Sequence, residues 1–416
     1  MSQHPFLKSI RPVNLLSFGP NTEEIELRPL NILIGPNGSG KSNLIEVLGL
    51  LSKLPDKDPW SRIRETGGAS EWVWKGKDEV GKPPSIAVTT IPERLSVFSD
   101  REGDKSLFYS IGLWAGSGTF AVMTERFQEI ENGEDGMRFN QNAYVRDGGE
   151  EARETISDFL NPANVSSAQN PKLPLSRSVL SMIGNIPNVA SKYPHISGFA
   201  DDLERIAIYN DWVFGSGSNI RKLQRSGFES NRLVGDSINL AQVLKAMRDR
   251  GDQTVFESLI ELMRKFYEPV KDVDTELLGT DLRIMIKEDG LSSRTPAERL
   301  SDGTLRWLML LIVLLDPAPP PVICIEEPEL GIHPDMLPTL ADLLVEASAR
   351  TQLIVTTHSR SLIDSFSENP DAVCICEKVQ GSTVIERLDR VRLKVWLDKY
   401  SLGRLWTSGE IGGNRW

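Results

Sequence analysis

Residues Gly35-Pro36-Asn37-Gly38-Ser39-Gly40-Lys41-Ser42 form a complete G-x-x-x-x-G-K-[ST] pattern. Closely spaced glycines let a backbone curl until successive N–H groups point inward, the arrangement that cradles phosphate oxygens. A helix beginning at the end of such a loop adds the positive end of its dipole to the same anion. Lys41 is then expected to reach the β- and γ-phosphates of a nucleotide, with Ser42 as a ligand of Mg²⁺. The plain alternative is a glycine turn that merely joins a strand to a helix. A full eight-residue match in the right setting argues against it.

Three further groups bear on the same chemistry. Val322-Ile323-Cys324-Ile325 is an apolar run that delivers Glu326 and Glu327 at its carboxyl end, where open α/β sheets place ligands. Glu326 is expected in the Mg²⁺ shell, and Glu327 is suited to orient or deprotonate the water that attacks a γ-phosphate. His358, in Thr356-Thr357-His358-Ser359, follows a second apolar run and stands where an imidazole can bond a γ-phosphate oxygen. In Leu300-Ser301-Asp302-Gly303-Thr304, Ser301 can cap a helix while Gly303 permits close backbone approach. Taken alone, that segment reads equally well as an ordinary capped core helix. His333, in the Gly331-Ile332-His333-Pro334 turn, is placed to shape the loop beside the carboxylates.

These side chains need rigid elements behind them. Residues 31–34 form a compact apolar run before the glycine loop, and Leu44, Ile45, Leu48 and Leu51 follow it at helical spacing. Residues 85–90, 106–114 and 120–130 read as strands. Residues 131–175, rich in Asn, Gly, Glu and Pro, read as a long exposed connection. Beyond them a helical period takes over. Asp236 or Ser237 is expected to cap a helix carrying Leu240, Val243, Leu244 and Met247 on one face, and Thr254 with Glu257 forms a capping-box pattern. Neither a sustained heptad nor an internal repeat appears. Strand and helix alternation returns with 322–325 and 353–356, continuous apolar runs that suit strands buried on both faces of a mostly parallel sheet.

With 416 residues, the chain exceeds the roughly 250–300 at which single cores stop growing. Its 39% hydrophobic and 25% charged residues exclude fibrous and disordered classes. A net charge of −11 gives no general support for nucleic-acid binding, although a local basic groove remains compatible with it. Arg221, Lys222, Arg225 and Arg232 are such a group, readable as a contact for phosphate backbones or as a solvated basic face. Three cysteines in β-branched runs do not make a disulfide framework. No apolar run approaches the ~20 residues that cross a bilayer, and the start lacks a secretory pattern. A cytoplasmic protein without membrane association is expected.

Taken in order, GPNGSGKS, LSDGT, CIEEPELGIHP and TTHS resemble the Walker A, signature, Walker B with D-loop, and switch-histidine motifs of ATP-binding-cassette-type ATPases. The LSDGT and EEPE forms look like the soluble AAA-family ATPases of the SMC/RecF/OLD-like group. The ending Leu402-Gly403-Arg404-Leu405-Trp406 through Ile411-Gly412-Gly413 is similar to a compact predicted-ATPase branch. The resemblance implies a P-loop α/β fold with an ABC/SMC-head-like mixed sheet split by a helical insertion. Its expected parts are an N-lobe over 1–150, a mainly helical insert over 151–296 and a C-lobe over 297–416. It also implies a homodimer on ATP binding, with Ser301 and Gly303 of one chain facing the nucleotide on Gly35 to Ser42 of the other. Glu326 departs from the Asp commonest in such ATPases, and Arg360 from a frequent Pro. The family's Q-loop glutamine is matched by either Gln128 or Gln141.

The activity this implies is Mg²⁺-dependent ATP binding and hydrolysis that drives dimerisation. The expected role is a conformational switch in DNA maintenance or anti-phage defence, working with a separately encoded nuclease or other effector, while DNA as a further partner is neither supported nor excluded by the charge. The competing readings are the ATPase subunit of a membrane transporter and a non-hydrolysing nucleotide-dependent scaffold. Transporter subunits normally carry LSGGQ and lack so large an insert.

Overall fold

A computed structural model describes residues 5–76, 83–90, 105–116, 118–133, 136–147, 153–155, 175–183, 194–210, 212–227, 232–234, 237–250 and 253–413. The chain forms two compact units that are discontinuous in sequence. One comprises 2–206, 371–389 and 409–416, and the other 207–370 and 390–408. These units do not follow three consecutive segments, because strands distant in the chain pair within each.

In the first unit, β1 (Leu7–Val13), β2 (Ile25–Glu26) and β3 (Leu30–Ile34) precede α1 (Lys41–Lys53). Then come β4 (Ser85–Thr90), β5 (Lys105–Ala115), β6 (Phe120–Gly133), β7 (Gly136–Asp147), β8 (Arg153–Thr155) and α2 (Pro194–Glu204). An antiparallel sheet runs β2-β1-β4-β5-β6-β7-β8. The strands read at 85–90, 106–114 and 120–130 are β4, β5 and β6. The long connection read over 131–175 is corrected: β6 continues to Gly133 and pairs with β7, and β7 with β8. Composition hid this hairpin because its strands are held by pairing with neighbours rather than by an apolar run. Residues 156–174 lie outside the described residues. Tyr109, Phe127 and Phe199 pack together, Tyr109 at ring-centroid distances of 4.7 and 5.2 Å from the other two. Fully buried Glu125 beside them accepts from Tyr109 Oη at 2.9 Å and from the Val179 N–H at 2.9 Å. The carboxylate thereby fastens the 175–183 segment to the sheet.

The second unit opens with β9 (Ala207–Tyr209) and β10 (Gln224–Arg225), followed by α3 (Leu240–Arg250), α4 (Gln253–Phe266), β11 (Val270–Leu278), β12 (Asp281–Glu288) and β13 (Thr295–Pro296). It continues with α5 (Asp302–Leu314), β14 (Val322–Glu326), α6 (Leu337–Ala347), β15 (Gln352–Thr356) and α7 (Arg360–Asp364). The expected helices are α3 and α4, with caps that differ from those read. Asp236 lies outside the described residues, and Ser237 stands three positions before the first helical residue at a φ of +60°. Thr254 is already inside α4, where its carbonyl accepts from Ser258 Oγ. Between these helices and α5 the stretch expected to be mainly helical carries an antiparallel sheet, β10-β12-β11, with β13 against β12. The hairpin turns at Gly279, whose φ of +65° suits glycine. β14 pairs in parallel with both β15 and β9. β15 is buried at every position, as expected of a strand covered on both faces.

The chain then returns to the first unit with β16 (Val373–Val379) and β17 (Ser382–Arg387). β16 pairs in parallel with β3 and antiparallel with β17, giving a mixed sheet. A final helix, α8 (Leu402–Thr407), packs on α7: the Gly403 N–H donates to Asp364 Oδ1 at 2.7 Å, and the Leu402 N–H to Ser367 Oγ at 3.0 Å. A Cβ at Gly403 would lie 2.5 Å from the Arg360 carbonyl oxygen, so only glycine admits this approach. Cys324, Cys374 and Cys376 are free and buried. Burial pushes the Cys374 thiol up to about 11, and such thiols are inert at neutral pH. No helix among the described residues is long and apolar enough to cross a membrane.

Candidate functional site

The phosphate loop connects β3 to α1 in the first unit. Gly35, Gly38 and Gly40 have φ of +148°, +78° and +104°. A Cβ at Gly35 would meet the Cys376 carbonyl oxygen at 2.2 Å, and one at Gly40 would meet Thr383 Oγ1 at 2.0 Å. β16 and β17 therefore form the wall that requires glycine here. Thr383 Oγ1 lies 2.8 Å from the Ser39 carbonyl oxygen and 2.6 Å from Ser17 Oγ, bracing the loop from behind. Lys41 Nζ donates to the carbonyls of Gly35 and Pro36 at 2.8 and 3.1 Å, which folds the ammonium onto the loop. Asn37, Gly38 and Ser42 are exposed, whereas Ser39 is buried with an Oγ that has no hydrogen-bond partner. The α1 N-terminus has no side-chain cap. Backbone donors, an ammonium and a spare hydroxyl in one loop fit a phosphate chain.

The carboxylates and the histidine belong to the second unit. β14 and β15 run side by side, with Glu326 paired to Thr356, so their carboxyl ends open together. The Glu327 N–H donates to the Thr356 carbonyl at 3.0 Å, and Glu327 has a φ of +45°, uncommon for a residue with a Cβ. Its Oε1 lies 3.7 Å from His358 Nε2. The structure thus brings together two of the residues expected to be catalytic. Arg306 Nη1 donates to the Glu327 carbonyl at 3.3 Å, and its guanidinium carbon lies 4.6 Å from the Phe214 ring centre. Glu329 Oε1 accepts from Thr357 Oγ1 at 2.5 Å and from the N–H groups of His358 and Ser359 at 3.0 and 3.2 Å. Burial raises the Glu329 carboxyl above the usual range, and the bonds from Thr357 and His358 oppose that shift.

Ser301 is the N-cap of α5, its Oγ accepting from the Thr304 N–H at 3.1 Å, and it is exposed. Gly303 faces the turn after β14: a Cβ there would lie 2.7 Å from the Gly331 carbonyl oxygen. His333 Nδ1 caps that turn by accepting from the Asp335 N–H at 3.4 Å. Of the basic group read from the sequence, Lys222 and Arg225 are exposed, whereas Arg221 is turned onto its own chain. Its side chain is 10% exposed and donates to the carbonyls of Ala297 and Glu298 and, at 2.6 Å, to Asp302 Oδ1. This bond, with one from the Gly215 N–H, holds the Asp302 carboxyl below its ordinary range.

Pattern reading missed Thr383 behind the phosphate loop, and Glu329 and Arg306 beside the carboxylates, and it read Arg221 for its charge rather than for its bond to Asp302. Glu329 alone left a signal, a third carboxylate within the EEPE run. Gln128 lies on β6 and Gln141 on β7.

A family profile described as "AAA domain, putative AbiEii toxin, Type IV TA system" matches residues 30–364. The chain belongs to this AAA-domain family. Its match spans the glycine loop, α5, β14 and His358. No curated protein matches the AAA-domain chain significantly. Among solved structures, an Smc head bound to the C-terminal winged-helix domain of ScpA is similar at 15% identity. Its TM-score is 0.55, over 93% of this chain and 99% of that one. An Smc head with an extended coiled coil, bound to the C-terminal domain of ScpA derived from Pyrococcus furiosus, has 15% identity and a TM-score of 0.51, covering 95% and 99%. The fold is a P-loop, ABC/SMC-head-like α/β fold.

Proposed function

We propose that this AAA-domain chain binds ATP with Mg²⁺, hydrolyses it, and closes face to face with a second copy while the triphosphate is intact. The observation that carries the reading is the pairing of Glu327 with His358 at 3.7 Å, at the carboxyl ends of adjacent parallel strands, in a chain with a complete phosphate loop. The N–H groups of Gly38 to Ser42 and Lys41 Nζ hold the phosphates. Ser42 and Glu326 are the residues that would hold Mg²⁺, whose charge would screen the phosphates. Glu327 accepts a proton from the attacking water. His358 Nε2 stands beside that carboxylate and donates its N–H to the terminal phosphate. Exposed Ser301 and the N-terminal turn of α5, with Gly303, offer a second set of donors to the nucleotide of the partner copy.

Turnover would separate the two copies and signal to an effector encoded elsewhere, in a cytoplasmic defence or DNA-maintenance role. The toxin–antitoxin wording of the family description supports the defence setting. The test is ATP hydrolysis beside nucleotide binding. Lys41→Ala should weaken ATP binding about 100-fold, the effect of removing one charge-assisted anchor. Glu327→Gln should bind normally and turn over about 100-fold more slowly or worse, as expected for loss of a general base. Wild-type turnover in Glu327→Gln removes Glu327 from the mechanism. Tight binding with no phosphate release in any copy, with effector and DNA supplied, makes the chain a nucleotide-dependent scaffold.

A further inference from the structure

We propose that Glu329 is the positioning residue of the hydrolytic site, holding His358 against Glu327 by clamping the segment that leaves β15. The inference rests on the ATPase reading for its consequence, and on geometry for its content. One carboxylate oxygen, Oε1, collects three donors from three consecutive residues: Thr357 Oγ1, His358 N–H and Ser359 N–H. No sheet ladder is available to these residues, since β15 ends at Thr356. Thr357 Oγ1 also accepts from the Ser359 N–H at 3.0 Å, and Ser359 Oγ then caps α7 through the Leu362 N–H at 3.3 Å. The exit from β15 is thereby held at Thr357, His358 and Ser359 and at the start of α7, with Glu329 reaching it from the segment that follows β14.

The consequence falls on the imidazole. His358 has no backbone freedom of its own while its N–H is held, so its ring is delivered to the position 3.7 Å from Glu327 Oε1. The other oxygen, Glu329 Oε2, is buried without a hydrogen-bond partner. An orphaned carboxylate oxygen destabilises a fold. That cost stands beside Glu327, whose charge further raises the Glu329 carboxyl, while the three donors on Oε1 offset it.

The experiment compares wild type, Glu329→Ala, Glu329→Gln, His358→Ala and the Glu329→Ala/His358→Ala double variant in the full chain. It measures ATP affinity, turnover, and amide exchange of the peptide covering 357–359. Glu329→Ala should slow turnover about ten-fold or more while ATP affinity stays within about two-fold, because only the reacting geometry is lost. Glu329→Gln, which keeps one acceptor oxygen, should recover part of that loss. In the His358→Ala background, adding Glu329→Ala should cost less than about two-fold further, since a residue acting through His358 has nothing left to position. Exchange of the 357–359 amides should quicken in Glu329→Ala and in the double variant but not in His358→Ala, with other regions unchanged.

Turnover losses that multiply in the double variant, or unchanged exchange at 357–359, overturn the proposal. A wild type without turnover defeats the ATPase reading instead. The exchange measurement still decides whether Glu329 holds the segment.

Discussion

Glu327, the proposed general base, has a φ of +45°, a region costly to residues that carry a Cβ. Its N–H donates to Thr356 and its carbonyl accepts from Arg306 Nη1 and the Leu330 N–H, so the strain is supported from both neighbouring elements. Arg306→Ala should therefore reduce turnover with little change in ATP affinity, by about ten-fold if one hydrogen-bonded brace is lost. A matched fall in affinity would instead assign Arg306 to nucleotide binding. Gly40 is the complementary case on the phosphate loop, where φ is +104° and a Cβ would meet Thr383. Gly40→Ala should abolish binding and lower stability by about 2 kcal/mol or more, the scale of strain plus overlap, read by calorimetry and thermal melting. Wild-type binding in that variant would mean that the loop tolerates reshaping.

At the scale of elements, α5 is the hub. It is buried almost all round, with Trp307 stacked on Phe266 at 5.6 Å, and its start is set by Ser301, Gly303 and the Arg221–Asp302 pair. Ser301→Ala should cost about 1 kcal/mol as a lost cap. Gly303→Ala should cost more, because the Gly331 backbone must move. The Asp302 carboxyl is depressed chiefly by Arg221. Its stabilising contribution is thus complete above the unfolded carboxylate pKa of ~3.9 and lost as pH falls through the lower folded value. The stability advantage of wild type over Asp302→Asn should shrink between about pH 5 and pH 2. The advantage should be below about 1 kcal/mol, since the carboxylate is 52% exposed and screened by water. Denaturant titrations across that range check it, and a constant gap would remove the pair from the cap.

For the whole molecule, the prediction concerns assembly. ATP with Glu327→Gln should accumulate a dimer by light scattering, and Ser301→Arg should prevent it without weakening ATP binding by the free chain. A monomer under saturating ATP, or normal dimerisation of Ser301→Arg, would count against closure through α5.

Short-range chemistry was legible from the chain alone. GPNGSGKS, the EE pair after VICI, the cap at Ser301 and His358 are each set by residues a few positions apart, and local geometry suffices to express them. Pairing between distant segments was not legible, because hydrogen-bond partners hundreds of residues apart leave no local period. The backing of the phosphate loop by Thr383 was hidden for that reason, whereas the β6–β7–β8 extension and the β11–β12 hairpin join neighbouring segments and escaped notice because their strands lack continuous apolar runs. The tertiary structure alone decided that Thr383 backs Gly40 and that Glu329 reaches Thr357, His358 and Ser359. Both depend on which strands lie side by side, and that is fixed by burying apolar runs such as β14 and β15 against each other, not by the residues that carry the chemistry.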